Sequence, residues 1–191
     1  MLVLLVGPSG AGKTPLMEGL CNRFDCELLS NFTSRPLRPG EQSRYYLSES
    51  DALAMHHRGE LQFLNEVFGN LCGSTRQDYA AALRSTKVFL FDVHWSHLHK
   101  ILDSATCIVF LPGDSEAELI GRLAAVGRED RIAEVVAERK EVLALFGRLS
   151  SQKNVISIDP WPRQADDPIA WVMEQILAVL DASLKGSEGN V

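Results

Sequence analysis

Residues 2–14 read LVLLVGPSGAGKT, and this stretch decides the fold. Its first half is an unbroken apolar run, the pattern of a parallel strand buried on both faces. Its second half, Gly7–Thr14, fits G-x-x-x-x-G-K-[ST]. From Thr14 to about Phe24, Leu16, Leu20 and Phe24 recur four apart, one face of a helix. The motif therefore lies between a strand and a helix, the context a phosphate-binding loop needs. Its glycines let backbone N–H groups wrap a phosphate, and the helix N-terminus adds partial positive charge. Gly7, Pro8, Ser9, Gly10, Ala11, Gly12, Lys13 and Thr14 are expected to hold the phosphates of a nucleoside triphosphate. Lys13 is placed for the β- and γ-phosphates and Thr14 for Mg²⁺.

Beyond the loop, short apolar runs alternate with amphipathic segments, which predicts an α/β fold with a parallel sheet. The expected strands are Leu2–Val6, Cys26–Leu29, Val88–Val93, Thr106–Leu111 and Asn154–Ile158. Ser115 and Glu118 form a capping box before a helix running to about Val126, and the charged stretch Arg131–Phe146 is also helical. Asp167 and Pro168 have the character of N-cap and N1 of a last helix, with Ile169, Met173, Ile176, Leu177 and Leu180 as its buried stripe. The tail KGSEGNV is expected to fray. Between the second and third strands lies a long stretch of different texture, read as an inserted substrate lobe.

At 191 residues the chain is one compact unit, and 46% hydrophobic residues suffice for a core. A net charge of −6 argues against nucleic-acid partners, although Arg35, Arg38 and Arg44 make a local basic pocket. Four cysteines without metal-ligand spacing read as reduced thiols of a cytoplasmic protein. No basic flank precedes the first apolar run, so no signal peptide is expected. No apolar stretch approaches the ~18 residues of a membrane span.

The inserted stretch carries a resemblance. TSRPLRPGE at Thr33–Glu41 resembles TTRxPRxGE of the guanylate kinase family, and GELQFLNEVFGNLCGST at Gly59–Thr75 aligns without a gap to that family's GEFLEYAEVFGNYYGTS. VFLPGDSEAELIGRL from Val109 is similar to the strand and helix that lead into the family's lid. With the loop, the resemblance covers roughly residues 1–145. It implies one domain over 1–191: a P-loop kinase core of parallel sheet flanked by helices (1–30, 85–121 and 139–191), an inserted nucleoside-monophosphate-binding lobe (31–84) and a small lid (122–138). Arg35 and Arg38 match the arginines that grip the acceptor's phosphate, a task suited to forked guanidinium groups. Tyr45 or its neighbour Tyr46 matches a phosphate-binding tyrosine. Asp92 matches an acid that acts on Mg²⁺ through water, and its alternative role is a strand-end cap. Arg122 and Arg139 match lid arginines that close over the transferring phosphate. The third lid arginine falls on Val126, with Arg128 and Arg131 nearby.

The chain also departs from the family. The glutamate that reads guanine is replaced by Phe63, which accepts no hydrogen bond. A second phosphate-binding tyrosine falls on Cys72, a base-reading serine on Asn31, and the second acid after Asp92 is His94, while Ser74 and Thr75 remain. Phe63 is left with stacking on a base, contact with a sugar or plain core packing, and Asn65 or Glu66 with a displaced polar contact. His94, His97 and His99 fit a polar helix start better than a metal site. Trp95, Trp161 and Trp171 are read as packing residues. The resemblance implies an ATP- and Mg²⁺-dependent kinase for a small-molecule nucleotide, guanylate by family default. Two alternatives stay open. RLAAVGRED is similar to the lid of ribose bisphosphate kinases, which suggests a phosphorylated sugar as acceptor. A non-catalytic binding module is the other, disfavoured by the complete loop.

Overall fold

The computed structural model describes residues 1–37, 41, 44–113, 115–125, 127–158 and 165–188. Five parallel strands form the main sheet: β1 (Leu2–Val6), β2 (Cys26–Leu28), β7 (Val88–Asp92), β8 (Cys107–Phe110) and β9 (Val155–Ser157), in the order β2-β7-β1-β8-β9. A second sheet of β3 (Asn31–Thr33), β4 (Arg44–Tyr46), β5 (Leu61–Val67) and β6 (Asn70–Thr75) is ordered β4-β3-β6-β5. The helices are α1 (Lys13–Arg23), α2 (Glu49–His57), α3 (Arg76–Arg84), α4 (Glu116–Ala125), α5 (Ile132–Leu149) and α6 (Pro168–Glu188), with 3₁₀ turns at Trp95–Lys100, Leu102–Ser104 and Glu129–Arg131.

Strand β1 is buried along its whole length because both faces of the sheet are covered. Val3 and Leu5 pack with α1 and α6 residues such as Leu16, Leu20, Met173 and Ile176. Leu2, Leu4 and Val6 point the other way, among Tyr79, Phe91, Phe110 and Val142. The two-residue period of a strand thus splits one apolar run between two cores. The second sheet has its own smaller core of Phe32, Ala52 and Leu61.

All five expected core strands are present, each within two residues of its reading at either end. The capping box holds α4: Ser115 Oγ accepts from the Glu118 N–H at 3.3 Å, and Glu118 Oε2 accepts from the Ser115 N–H at 3.1 Å. Asp167 Oδ1 accepts from the N–H groups of Ile169 and Ala170 at 3.1 and 3.2 Å, as an N-cap should. Two readings of α6 are corrected. Leu177 is 39% exposed, and Val172 takes its place in the buried stripe, since steps of three and four from Ile169 run through 172, 173, 176 and 180. The helix also continues to Glu188, into the tail expected to fray. Trp171 is 37% exposed rather than packed inside, and Trp161 lies outside the described residues.

Candidate active site

The loop after β1 behaves as its sequence demands. Gly12 caps α1 with φ 90°, in the left-handed region closed to most side chains. A Cβ on Gly7 would stand 2.2 Å from the Leu111 carbonyl oxygen, so the loop packs directly on the backbone beyond β8. Lys13, the first residue of α1, turns its ammonium back on the loop: Nζ donates to the carbonyls of Gly7 at 2.6 Å and Pro8 at 3.0 Å. Thr14 follows as the second residue of that helix.

Asp92 ends β7, which pairs with β1 so that Asp92 stands opposite Leu5, just before the loop. Its carboxylate lies 3.7 Å from Lys13 Nζ and accepts from Arg44 Nη2 at 3.2 Å. Arg44 comes from the second sheet, so this carboxylate links the two sheets. Arg35 donates to Glu41 at 2.6 Å and to the Pro36 carbonyl at 2.8 Å. Glu41 also lies 3.9 Å from Arg44, and its side chain is 7% exposed. Two carboxylates thereby hold two guanidinium groups in place.

These groups border a cavity of about 140 Å³ between the sheets. Gly7, Ser9, Lys13, Asp92 and His94 form its core side; Asn31, Thr33, Arg35, Arg44, Phe63, Asn65 and Cys72 form the opposite wall; Arg131 and Glu138 close a third side. Strand register decides who faces it. Asn31 pairs with Arg44, Phe32 with Tyr45 and Thr33 with Tyr46. Alternation then puts Asn31, Thr33 and Arg44 on the cavity face and Phe32 with Tyr45 on the other.

Several expected site residues are therefore placed elsewhere. Tyr45 packs against Phe32 in the small core, ring centroids 6.3 Å apart, and burial, with the Asp78 charge, raises its pKa. Tyr46 is 57% exposed. Arg44 holds the cavity position that the sequence reading gave to a tyrosine. Ser74 is fully buried, and its hydroxyl donates to the Ser30 carbonyl at 3.3 Å. Phe63 borders the cavity but is only 7% exposed, packed on Phe91 and His97 with ring centroids 5.5 and 5.8 Å away. A free face for stacking on a base is not available there. Arg122 is exposed on α4, and Arg139 is half-buried with an Nε that has no partner among the described residues; neither borders the cavity. Arg131 does, with its guanidinium 4.0 Å above the Phe68 ring. Arg38 and Val126 lie outside the described residues.

The side chains of Asn31 and Asn65 have no hydrogen-bond partner among the described residues, so two neutral amides are open to a ligand. His94 caps the 3₁₀ turn through Nδ1, which accepts from the Ser96 N–H at 3.4 Å. No His, Cys, Asp and Glu group suited to a metal ion occurs among the described residues. The donor set of Thr14 and Asp92 still fits Mg²⁺, a hard cation commonly held by one or two protein oxygens plus substrate phosphates and water.

Glu138 was not foreseen. Its Oε2 accepts from the Ser9 backbone N–H at 2.8 Å, and Oε1 lies 3.5 Å from His94 Nε2. Burial works to raise its pKa, but the His94 and Ser9 hydrogen bonds and the Lys13 charge outweigh burial and hold it below the usual carboxylate range. Nothing local marks this residue, because its partners lie far away in sequence.

No family model matches the chain. Individual relatives do. A guanylate kinase of Nitrobacter winogradskyi is 35% identical over 130 residues, 64% of this chain and 59% of that protein, so the chain spans about three fifths of its length. Guanylate kinases of Hyphomonas neptunium and Alkalilimnicola ehrlichii are 33% and 32% identical over 148 and 149 residues, alignments that take in 67% and 73% of those proteins. In fold, the crystal structure of guanylate kinase from Anaplasma phagocytophilum superposes with a TM-score of 0.60 at 20% identity, over 95% of this chain and 85% of that one. Identity above 30% over most of the chain and a shared fold place this protein in the guanylate kinase family, a family of nucleoside monophosphate kinase-type phosphotransferases.

Proposed function

We propose that the chain transfers the terminal phosphate of ATP, with Mg²⁺, to a nucleoside monophosphate, and that guanylate is the acceptor to test first. The observation that carries this reading is the shared cavity: Lys13 of the phosphate loop, Asp92, and the paired arginines Arg35 and Arg44 border one space. The relatives' names support guanylate as the first acceptor.

The roles follow from charge and reach. The loop amides and Lys13 bind the donor's phosphates. Arg35 and Arg44, with Arg38, grip the acceptor's phosphate. Thr14 and Asp92 would hold Mg²⁺, which supplies neutralisation of charge on the bridging phosphate oxygens. Arg131 is the lid cation nearest the transfer path, and Arg122 and Arg139 reach it only if the lid moves. Transfer of this kind rests on positioning and electrostatics rather than on a covalent step through the protein. Residues 31–84 act as the acceptor lobe and 122–138 as the lid. The reaction is placed in the cytoplasm.

One observation favours a second acceptor. Among the described residues, the cavity wall from the small sheet offers two guanidinium groups, amides, a hydroxyl and a thiol but no carboxylate, and Phe63 stands where the resemblance implies one for guanine. A site built on such hydrogen bonds discriminates by roughly 10⁴, so its loss opens the pocket to another base or a phosphorylated sugar. ATP consumption with Mg²⁺ against GMP, dGMP, AMP, CMP, UMP, dTMP and ribose 1,5-bisphosphate tests both. Turnover of GMP supports a divergent guanylate kinase. Turnover of another acceptor alone supports a re-specified pocket. Bound ATP with no turnover on any of them would sink the kinase reading in favour of a binding module.

A further inference from the structure

Glu138 makes a contact that the transfer chemistry does not use. It projects from the first half of α5, on the face where positions 131, 135, 138 and 142 recur at steps of three and four. Val135 and Val142 of that face are fully buried, which fixes the helix against the core, and Arg131 and Glu138 are left to border the cavity. The Glu138 side chain is 13% exposed.

Its partner is the backbone of the phosphate loop. The Ser9 N–H has one hydrogen to give and gives it to Glu138 Oε2 at 2.8 Å. Meanwhile Lys13, the loop's own cation, donates to the carbonyls of Gly7 and Pro8. An anion already sits at one end of the loop, and the lysine is satisfied internally. His94 steadies that anion from the other side, 3.5 Å from Oε1.

We infer that Glu138 is an autoinhibitory anion, holding the Ser9 end of the phosphate loop until the donor's terminal phosphate displaces it. The inference rests on the donor-site reading above. Displacement follows from electrostatics. A phosphate at Ser9 would set further negative charge beside a largely buried carboxylate and take its N–H donor, and a desolvated anion left without a donor is costly. The two anions exclude each other. Release also has a mechanical consequence, because Glu138 and Arg131 ride on the same end of α5. Arrival of the donor unpins that end and lets Arg131 reorient toward the transferring group. Donor binding and lid position become one coupled equilibrium, and the carboxylate lowers donor affinity by the free energy of its own contact.

Calorimetric titration of the full chain with the β,γ-imido analogue of ATP and Mg²⁺ tests this on wild type, Glu138→Gln and Glu138→Ala. Both variants are expected to bind about tenfold more tightly than wild type, the scale of an ordinary coupling between sites. Hydrogen exchange gives a second readout: the amides of 131–138 should speed up when wild type takes the analogue, and be fast already in the empty variants. If a variant melts well below wild type, Glu138→Asp replaces it, since a shorter carboxylate retreats from Ser9 and predicts the same sign. Equal or weaker binding in a folded variant overturns the inference and makes the contact a support that the loop keeps when occupied. Absence of binding in wild type and variants alike removes the donor-site reading and the inference with it.

Discussion

The two ends of the cavity, donor and acceptor ends in the proposed reaction, present N–H and cationic groups by different means. At the donor end the groups belong to the backbone: a loop of N–H groups opening helix α1, with one lysine beside it. At the acceptor end they belong to side chains, Arg35 and Arg44, each pinned by a carboxylate, Glu41 or Asp92. A backbone site depends on local spacing and survives drift around it. A side-chain site depends on register and on each residue in turn, so single replacements re-specify it. The donor end carries every residue of its pattern, whereas at the acceptor end Phe63 and Cys72 stand where the resemblance implies a glutamate and a tyrosine, and Arg44 rather than Tyr45 faces the cavity.

The sharpest break comes from the donor-end lysine. Lys13→Ala should lower turnover by about 10³-fold, the scale of removing a group that meets developing phosphoryl charge. Thermal unfolding should move only slightly, because Lys13 hydrogen-bonds only to its own loop and its ion pair with Asp92 is long, at 3.7 Å. Steady-state rates against unfolding temperature check this; a mutant with near-normal turnover would show that the backbone alone suffices. At the acceptor end, Arg44→Met should raise the acceptor's KM by about 10- to 100-fold, the worth of a charge-assisted hydrogen bond, and leave the donor's KM unchanged. An equal rise in both constants would mean that Arg44 acts on the donor through Asp92 and Lys13, and the two ends would no longer be separable.

The same contrast explains what could be read from sequence. The loop, the strand-end Asp92 and the caps at Ser115 and Asp167 are local patterns, and the structure places them as their spacing implies. Tyr45 and Arg44 are adjacent, and only the pairing of β4 with β3 decides which faces the cavity. Ser74 was a plausible base-reading hydroxyl until its burial and its bond to Ser30 were known. Arg122 and Arg139 sit on helices whose rotation about their axes was not legible. Glu138 reaches Ser9 across the molecule, and no short pattern encodes such a contact.

A third test acts where the acceptor lobe meets the lid. Phe68 has φ 51°, a left-handed conformation that is costly for a bulky residue, in the tight turn with Gly69 between β5 and β6. The ring packs with Leu119, Leu123 and Val135 and lies under the Arg131 guanidinium. The turn therefore keeps an unfavourable backbone to hold a latch. Phe68→Asn, which tolerates φ > 0, should relieve the backbone while losing the cation–π contact, worth about 0.5–2 kcal/mol. The ring's packing on Leu119, Leu123 and Val135 is lost as well, so global stability should fall by about 2 kcal/mol. Hydrogen exchange across 128–135 should rise clearly. Unchanged protection there would show that the lid does not depend on this turn.

The smallest effect is a pH dependence of stability that arises on the acceptor side, behind Phe63. His97 lies behind Phe63, and its Nδ1 is buried with no partner among the described residues. Burial, and then the charges of Lys100, His94 and His99, bring its pKa from 6.5 down to about 4. The native state thus keeps His97 neutral while the unfolded chain takes up a proton below pH 6.5. Between about 6.5 and 4 the unfolded state binds more protons, so this contribution to stability is complete above pH 6.5 and is lost as the pH falls toward 4. With allowance for partial solvent exposure the loss is about 1 kcal/mol. Urea unfolding at pH 7.5 and pH 5 should show it in wild type and a shallower fall in His97→Leu, which has no proton to take up. Because the folded protein keeps His97 neutral at both pH values, the wall that carries Phe63 is unchanged, and wild type and His97→Leu should show the same small changes in acceptor KM and donor affinity between them. An acceptor KM that rises at pH 5 in wild type alone would mean that His97 takes up its proton in the folded state.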